Sequence, residues 1–222
     1  MKMGTVLNHT KNKASGFTII ELLVASAVFS LILLVALVSF LQIGRSFYKG
    51  VSLTTTQDVA TQLANDIADN VKSSGLVPQQ LSGNGYFYTC VNDTRYTYTK
   101  NGQVPMPASE GTSGPNYVSG GTANYGLLKD TVSGCTTPCA NSCPNSFAST
   151  KPVEALGDQM RIIKLSIVNT SGKLYNVNIV VAYGTNSVLN LSNPSSPVCA
   201  GGNANKAFCS IANISTTVLA GQ

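Results

Sequence analysis

The sequence predicts an α+β chain, with one long N-terminal α-helix packed on an antiparallel β-sheet and a disulfide-stapled loop region. Three observations predict it. An apolar run from Phe17 to Ile43 passes without a break into an amphipathic stripe that ends near Ser73. After Pro78 the chain turns to aromatic and β-branched residues that alternate with polar ones. Six cysteines all follow the helix, and a region rich in Gly, Pro, Ser and Asn holds three of them.

The helix comes first. Phe17 to Ile43 contains no Pro, no internal Gly and one charged residue, Glu21. At about 1.5 Å per residue the run is about 40 Å long, enough to cross a bilayer. Val59, Ala60, Leu63, Ala64, Ile67, Ala68 and Val71 then recur at spacings of three and four, which makes one apolar stripe. Asp58, Gln62, Asn65, Asp66 and Asp69 fall on the other face. Ser73-Ser74-Gly75, with Pro78 beyond, ends the helix. One helix from about Thr18 to Ser73 is expected, its first half in lipid and its second half on a domain.

The β signals follow. Tyr86 to Val91 and Arg95 to Thr99 read as a hairpin around Asn92-Asp93. Asn101 to Thr150 shows no sustained period and reads as a long loop, with a short strand near Tyr125 to Leu128. Met160 to Val168 and Leu174 to Gly184 form the clearest hairpin. Ile163, Leu165 and Ile167 alternate with Lys164 and Ser166, so one face should pack and the other stay wet. Ala207 to Val218 reads as a last strand.

Charge and composition exclude several functions. The chain has 222 residues, 10% of them charged, and a net charge of +5. Lys2, Lys11 and Lys13 lie before the apolar run; without them 11 basic side chains face 9 acidic ones, a balance of +2. So small an excess does not support nucleic-acid binding. Arg95, Lys100, Lys129 and Lys151 border the long loop, and four dispersed cations read as a solvated face. The only His is His9, so the rest of the chain cannot build a Ser-His-Asp triad or a His-ligated metal site. No phosphate loop, EF-hand or dinucleotide fingerprint is present. The chain reads as a non-enzyme with no cofactor and no metal.

Cys90, Cys135, Cys139, Cys143, Cys199 and Cys209 are even in number and lie beyond the apolar segment. On the exported side of a membrane they read as disulfides, and six cysteines allow 15 pairings. The spacing of Cys135, Cys139 and Cys143 matches no standard zinc pair.

An acid inside a membrane-length apolar run costs a few kcal/mol and reads as functional. Here it follows two lysines, a Gly and a Phe. The stretch Gly16-Phe17-Thr18-Ile19-Ile20-Glu21-Leu22-Leu23-Val24 resembles the type IV pilin superfamily. The resemblance implies a leader, residues 1–16, cut by a prepilin peptidase between Gly16 and Phe17. It implies N-methylation of Phe17 and an assembly role for Glu21. It implies the type IV pilin fold, divided as a transmembrane half-helix over 17–43, an amphipathic half over 44–75 and an exported β-rich domain over 76–222. The leader lysines put the N-terminus on the cytoplasmic side; Arg45 and Lys49 oppose this slightly.

Pseudopilins of type II secretion share the segment. The strand end at Tyr183-Gly184 and the Cys199 to Cys209 tail resemble the PilW/PulJ group of minor pilins. The function implied is a minor pilin of a type IV pilus tip or initiation complex. The alternatives are a J-type minor pseudopilin, or a pilus-tip module that binds DNA or surfaces. The partners implied are other pilin subunits, the peptidase, the inner-membrane assembly platform and membrane lipid. The location implied is the inner membrane, single-pass with the C-terminal domain outside, and then the pilus.

Overall fold

A computed structural model of the chain describes residues 16–83, 86–99, 104–105, 124–132, 135, 152–157, 159–185, 187–190, 198–200 and 205–221. It divides into two compact units, Met1–Gly44 and Arg45–Gln222.

Helix α1 runs Ile19–Ser73, 55 residues, and contributes to both units. In the first unit its apolar side chains are exposed, and none of the most apolar stretch is buried in the protein. That is the surface a lipid-facing helix presents. The polar groups in this stretch are satisfied internally, as a bilayer demands. The hydroxyls of Ser26, Ser30 and Ser39 donate to the carbonyls of Leu23, Ser26 and Val35 at 2.8–2.9 Å.

In the second unit α1 buries Thr56, Ala60, Leu63, Ala64, Ile67, Ala68 and Val71. Six of them belong to the stripe, the seventh is a threonine, and the stripe's Val59 is partly buried beside them. Ala60, Ala64 and Ala68 belong to the main core with the sheet's apolar residues. The helix stops where the Ser74 N–H bonds the Val71 carbonyl at 3.2 Å. The segment after the strand Ser210–Leu219 closes it, since the Gly221 N–H donates to the Lys72 carbonyl at 2.9 Å. A left-handed backbone there, φ +73, suits glycine.

Twelve strands follow among the described residues. β1 is Gln79–Gly83, β2 Tyr86–Val91, β3 Thr94–Thr99, β4 Val104–Pro105, β5 Asn124–Tyr125 and β6 Leu128–Thr131. β7 is Val153–Glu154, β8 Met160–Ser171, β9 Leu174–Tyr183, β10 Leu189–Asn190, β11 Val198–Cys199 and β12 Ser210–Leu219. A five-stranded sheet has the order β1-β2-β3-β6-β7, and a three-stranded sheet the order β12-β9-β8. Two small ribbons pair β4 with β5 and β10 with β11. Every pairing is antiparallel. The long N-terminal helix and antiparallel sheets are α+β and fit the type IV pilin fold.

The expected hairpins form as β2–β3 and β8–β9. Asn92 turns the first with φ 53, a backbone Asn tolerates well. The expected helix start moves from Thr18 to Ile19. Around the long loop, the short strand expected near Tyr125 to Leu128 appears as two pieces, β5 and β6. The last strand starts later than expected. A 3₁₀ turn, Asn205–Phe208, precedes β12, which then pairs along the whole of β9.

One expectation is overturned. Ile163 does not share a face with Leu165 and Ile167. A bulge between Ile162 and Lys164 inserts Ile163 as an extra residue and turns it to the opposite face. Ile162, Leu165 and Ile167 join α1, Val177, Ile179 and Val181 in the main core. Ile163 joins Val180, Ala182, Val188, Leu189 and Cys209 in a second one. The sheet is therefore covered on both faces at its Tyr183 end, and wet on one face only toward its turn at Gly172.

Candidate functional site

The candidate site is the start of α1. Gly16, Phe17 and Thr18 precede the helix, and all three are exposed. Among the described residues nothing beyond its chain neighbours lies within 4 Å of the point where a Gly16 side chain would begin. Phe17 is 87% exposed. The Gly16–Phe17 peptide bond thus lies in non-helical, open backbone, the condition a peptidase needs to take the chain extended.

Glu21 is tied to Thr18. The Thr18 N–H and hydroxyl donate to Glu21 Oε2 at 2.9 and 2.8 Å, and the Glu21 N–H donates to Thr18 Oγ1 at 3.3 Å. This is a reciprocal capping box, with Thr18 at the N-cap and Glu21 three residues on. It satisfies two amide donors that no helix carbonyl reaches. A carboxylate in the first turn also meets the positive end of the helix dipole. Sequence reasoning singled out Glu21 and missed this pairing, although Thr-x-x-Glu before an apolar run is its signal. The box uses only one carboxylate oxygen, so Oε1 is left to meet another group.

The cysteines lie far along the chain. Cys90 is joined to Cys135 and Cys199 to Cys209, each pair with Cα atoms 5.7 Å apart. Cys139 and Cys143 lie outside the described residues. Cys209 is buried in the second core, and Cys199 packs at its edge. Among the described residues no three His, Cys, Asp or Glu side chains come together as metal ligands.

Two of the cations bordering the loop, Arg95 and Lys129, are described, and both are ion-paired. Arg95 is 3% exposed and makes a two-point ion pair with Asp130, which is 5% exposed. Register explains the pairing, since Arg95 and Asp130 are direct neighbours across β3 and β6. Lys129 Nζ grips Asp66 of α1 at 2.7 and 2.8 Å. The Tyr96 hydroxyl donates to the same carboxylate at 2.7 Å and accepts from Asn70 at 2.7 Å. Burial, and then Asp66, push the Tyr96 phenol well above its ordinary pKa. Asp66, off the apolar stripe and half-buried, thus links the helix to the sheet. Lys100 and Lys151 lie outside the described residues. Glu154 accepts from the N–H groups of Gly126, Leu127 and Leu156 at 2.9–3.1 Å. These charges hold the fold together.

The chain matches the family described as prokaryotic N-terminal methylation motif over residues 11–37. That stretch holds the open Gly16–Phe17 bond, the capping box and most of the apolar run. It is a type IV pilin-like prepilin segment, at the head of a chain whose helix and sheets fit the type IV pilin fold. The motif is that of a structural subunit, and with the exposed apolar helix it fits a single-pass, membrane-anchored pilin or pseudopilin. No curated protein and no solved structure matches the chain.

Proposed function

We propose that the chain is a minor pilin, a structural subunit of a type IV pilus tip or initiation complex. The observation that carries this is the methylation motif at residues 11–37 on a helix that leaves Gly16–Phe17 open. The peptidase cuts after Gly16, the new amine on Phe17 is methylated, and residues 17–43 hold the subunit in the inner membrane. The β-rich unit then lies outside, where its cysteines oxidise. Assembly draws the apolar helix into a bundle with those of other pilins, with Glu21 toward the amine of a neighbour. The strand end at Tyr183-Gly184 and the Cys199 to Cys209 tail, which resemble the PilW/PulJ group, favour a minor subunit over a major one. A J-type pseudopilin would be processed identically, so neighbouring genes separate the two: a retraction ATPase goes with a pilus.

Intact-mass measurement of the protein extracted from membranes tests the processing. The expected result is loss of Met1–Gly16 and one added methyl on Phe17. Gly16→Trp is expected to leave the leader attached, because the enlarged residue blocks the peptidase. A mature wild-type species that keeps its leader would overturn the proposal.

A further inference from the structure

One exposed patch of the second unit is not used by the assembly role. Phe47 and Tyr48 lie on α1 just past Ile43, where the apolar run ends, and are 67% and 59% exposed. Phe208, in the 3₁₀ turn before β12, is 52% exposed. The Tyr48 ring centroid lies 6.2 Å from that of Phe47 and 6.1 Å from that of Phe208. Tyr48, Val51 and Phe208 line part of an apolar groove of about 160 Å³. Arg45 and Lys49 flank the aromatic pair and are exposed, and no acid occurs between Glu21 and Asp58.

Three rings beside two cations, open to water, make a patch that asks for a partner. Its position and chemistry select one. An apolar run of about 40 Å fills a hydrocarbon core of about 30 Å and reaches the headgroups. Phe47 and Tyr48 follow within five residues of Ile43 in sequence, close enough for their rings to reach headgroup level. Aromatic rings concentrate at that level, and lysine and arginine beside it attract anionic lipid. We propose that Phe47, Tyr48 and Phe208, with Arg45 and Lys49, dock the β-rich unit on the anionic phospholipid surface of the membrane that α1 spans. This rests on the membrane-anchored reading above. Docking holds the subunit against the bilayer until assembly lifts the rings out of the headgroups.

The chain contains no Trp, so a single introduced Trp is an unambiguous reporter. The full-length chain is placed in vesicles of phosphatidylcholine and phosphatidylglycerol, with lipids brominated near the headgroup as quenchers. Phe208→Trp, and separately Tyr48→Trp, are expected to lose about half their emission, as interfacial rings would. Leu76→Trp, past the far end of α1 and exposed, is expected to lose none. Arg45→Gln with Lys49→Gln is expected to reduce the quenching of Phe208→Trp, as is omitting phosphatidylglycerol. Leu31→Trp, inside the apolar run, reports the span itself, with bromine placed deeper in the chains. If Leu31→Trp is quenched while Phe208→Trp and Tyr48→Trp emit like Leu76→Trp, docking is wrong and the membrane anchor stands. If Leu31→Trp is not quenched, both ideas fall.

Discussion

Arg95 and Asp130 are shut away from water, and each needs the other. Removing one partner from a buried ion pair strands the other charge and costs about 3–5 kcal/mol. Asp130→Ala is therefore expected to lower unfolding free energy by that amount in urea titrations of the detergent-solubilised chain. Arg95→Met combined with Asp130→Leu is expected to recover most of the loss, because no charge is then left unpaired. Tyr88 shows the opposite case, a polar group buried with no hydrogen-bond partner for its hydroxyl among the described residues. Burial, partly offset by the Arg95 guanidinium, pushes its phenol up to about 12. The folded state thus prefers the neutral ring, and the stability this brings is complete below the unfolded pKa of about 10. It fades as pH rises from about 10 through about 12. Tyr88→Phe is expected to keep neutral-pH stability, since no hydrogen bond is lost, and to flatten that alkaline decline in a pH series of melting curves.

The disulfides act on elements. Cys90 lies in the buried part of β2 and ties it to Cys135, at a sequence separation of 45 residues. Cys199 and Cys209 close a shorter loop, separation 10, over the second core. By loop-closure entropy the first is worth about 4 kcal/mol and the second about 3. Cys90→Ala with Cys135→Ala is accordingly expected to lower the urea midpoint more than Cys199→Ala with Cys209→Ala. Equal losses would mean that packing of Cys209 in its cluster outweighs loop length. How these elements were legible follows from range. The helix, both hairpins and the last strand rest on local periodicity, and each appears close to where its pattern put it. The β6–β7 pairing, the second core and the Arg95–Asp130 contact depend on neighbours far away in sequence. Alternation cannot foresee a bulge either, because Ile162 and Ile163 are both apolar and the extra residue leaves no mark. The capping box was legible in Thr18 and Glu21, but the apolar run drew attention to the charge instead of the cap.

At the scale of the whole molecule, Glu21 has two duties that can be separated. Within one chain it caps α1 through Thr18, using one carboxylate oxygen. In an assembled bundle its charge would meet the Phe17 amine of a neighbouring subunit, which the proposed function requires. A correctly staggered subunit pairs the acid, whereas a mis-staggered one buries it alone, a loss of about 3–5 kcal/mol. The pair would then set register more than affinity. Glu21→Val removes both cap and charge and makes the segment more apolar, so insertion is expected to persist. Glu21→Gln keeps an oxygen that can accept from Thr18 and removes only the charge. Both variants are expected to match wild type in membrane abundance and to lose most crosslinking to other pilins. If Glu21→Gln crosslinks like wild type while Glu21→Val does not, the cap is the assembly device and the charge is incidental. If both crosslink like wild type, Glu21 has no part in assembly, and the minor-pilin proposal loses the contact that gives it a mechanism.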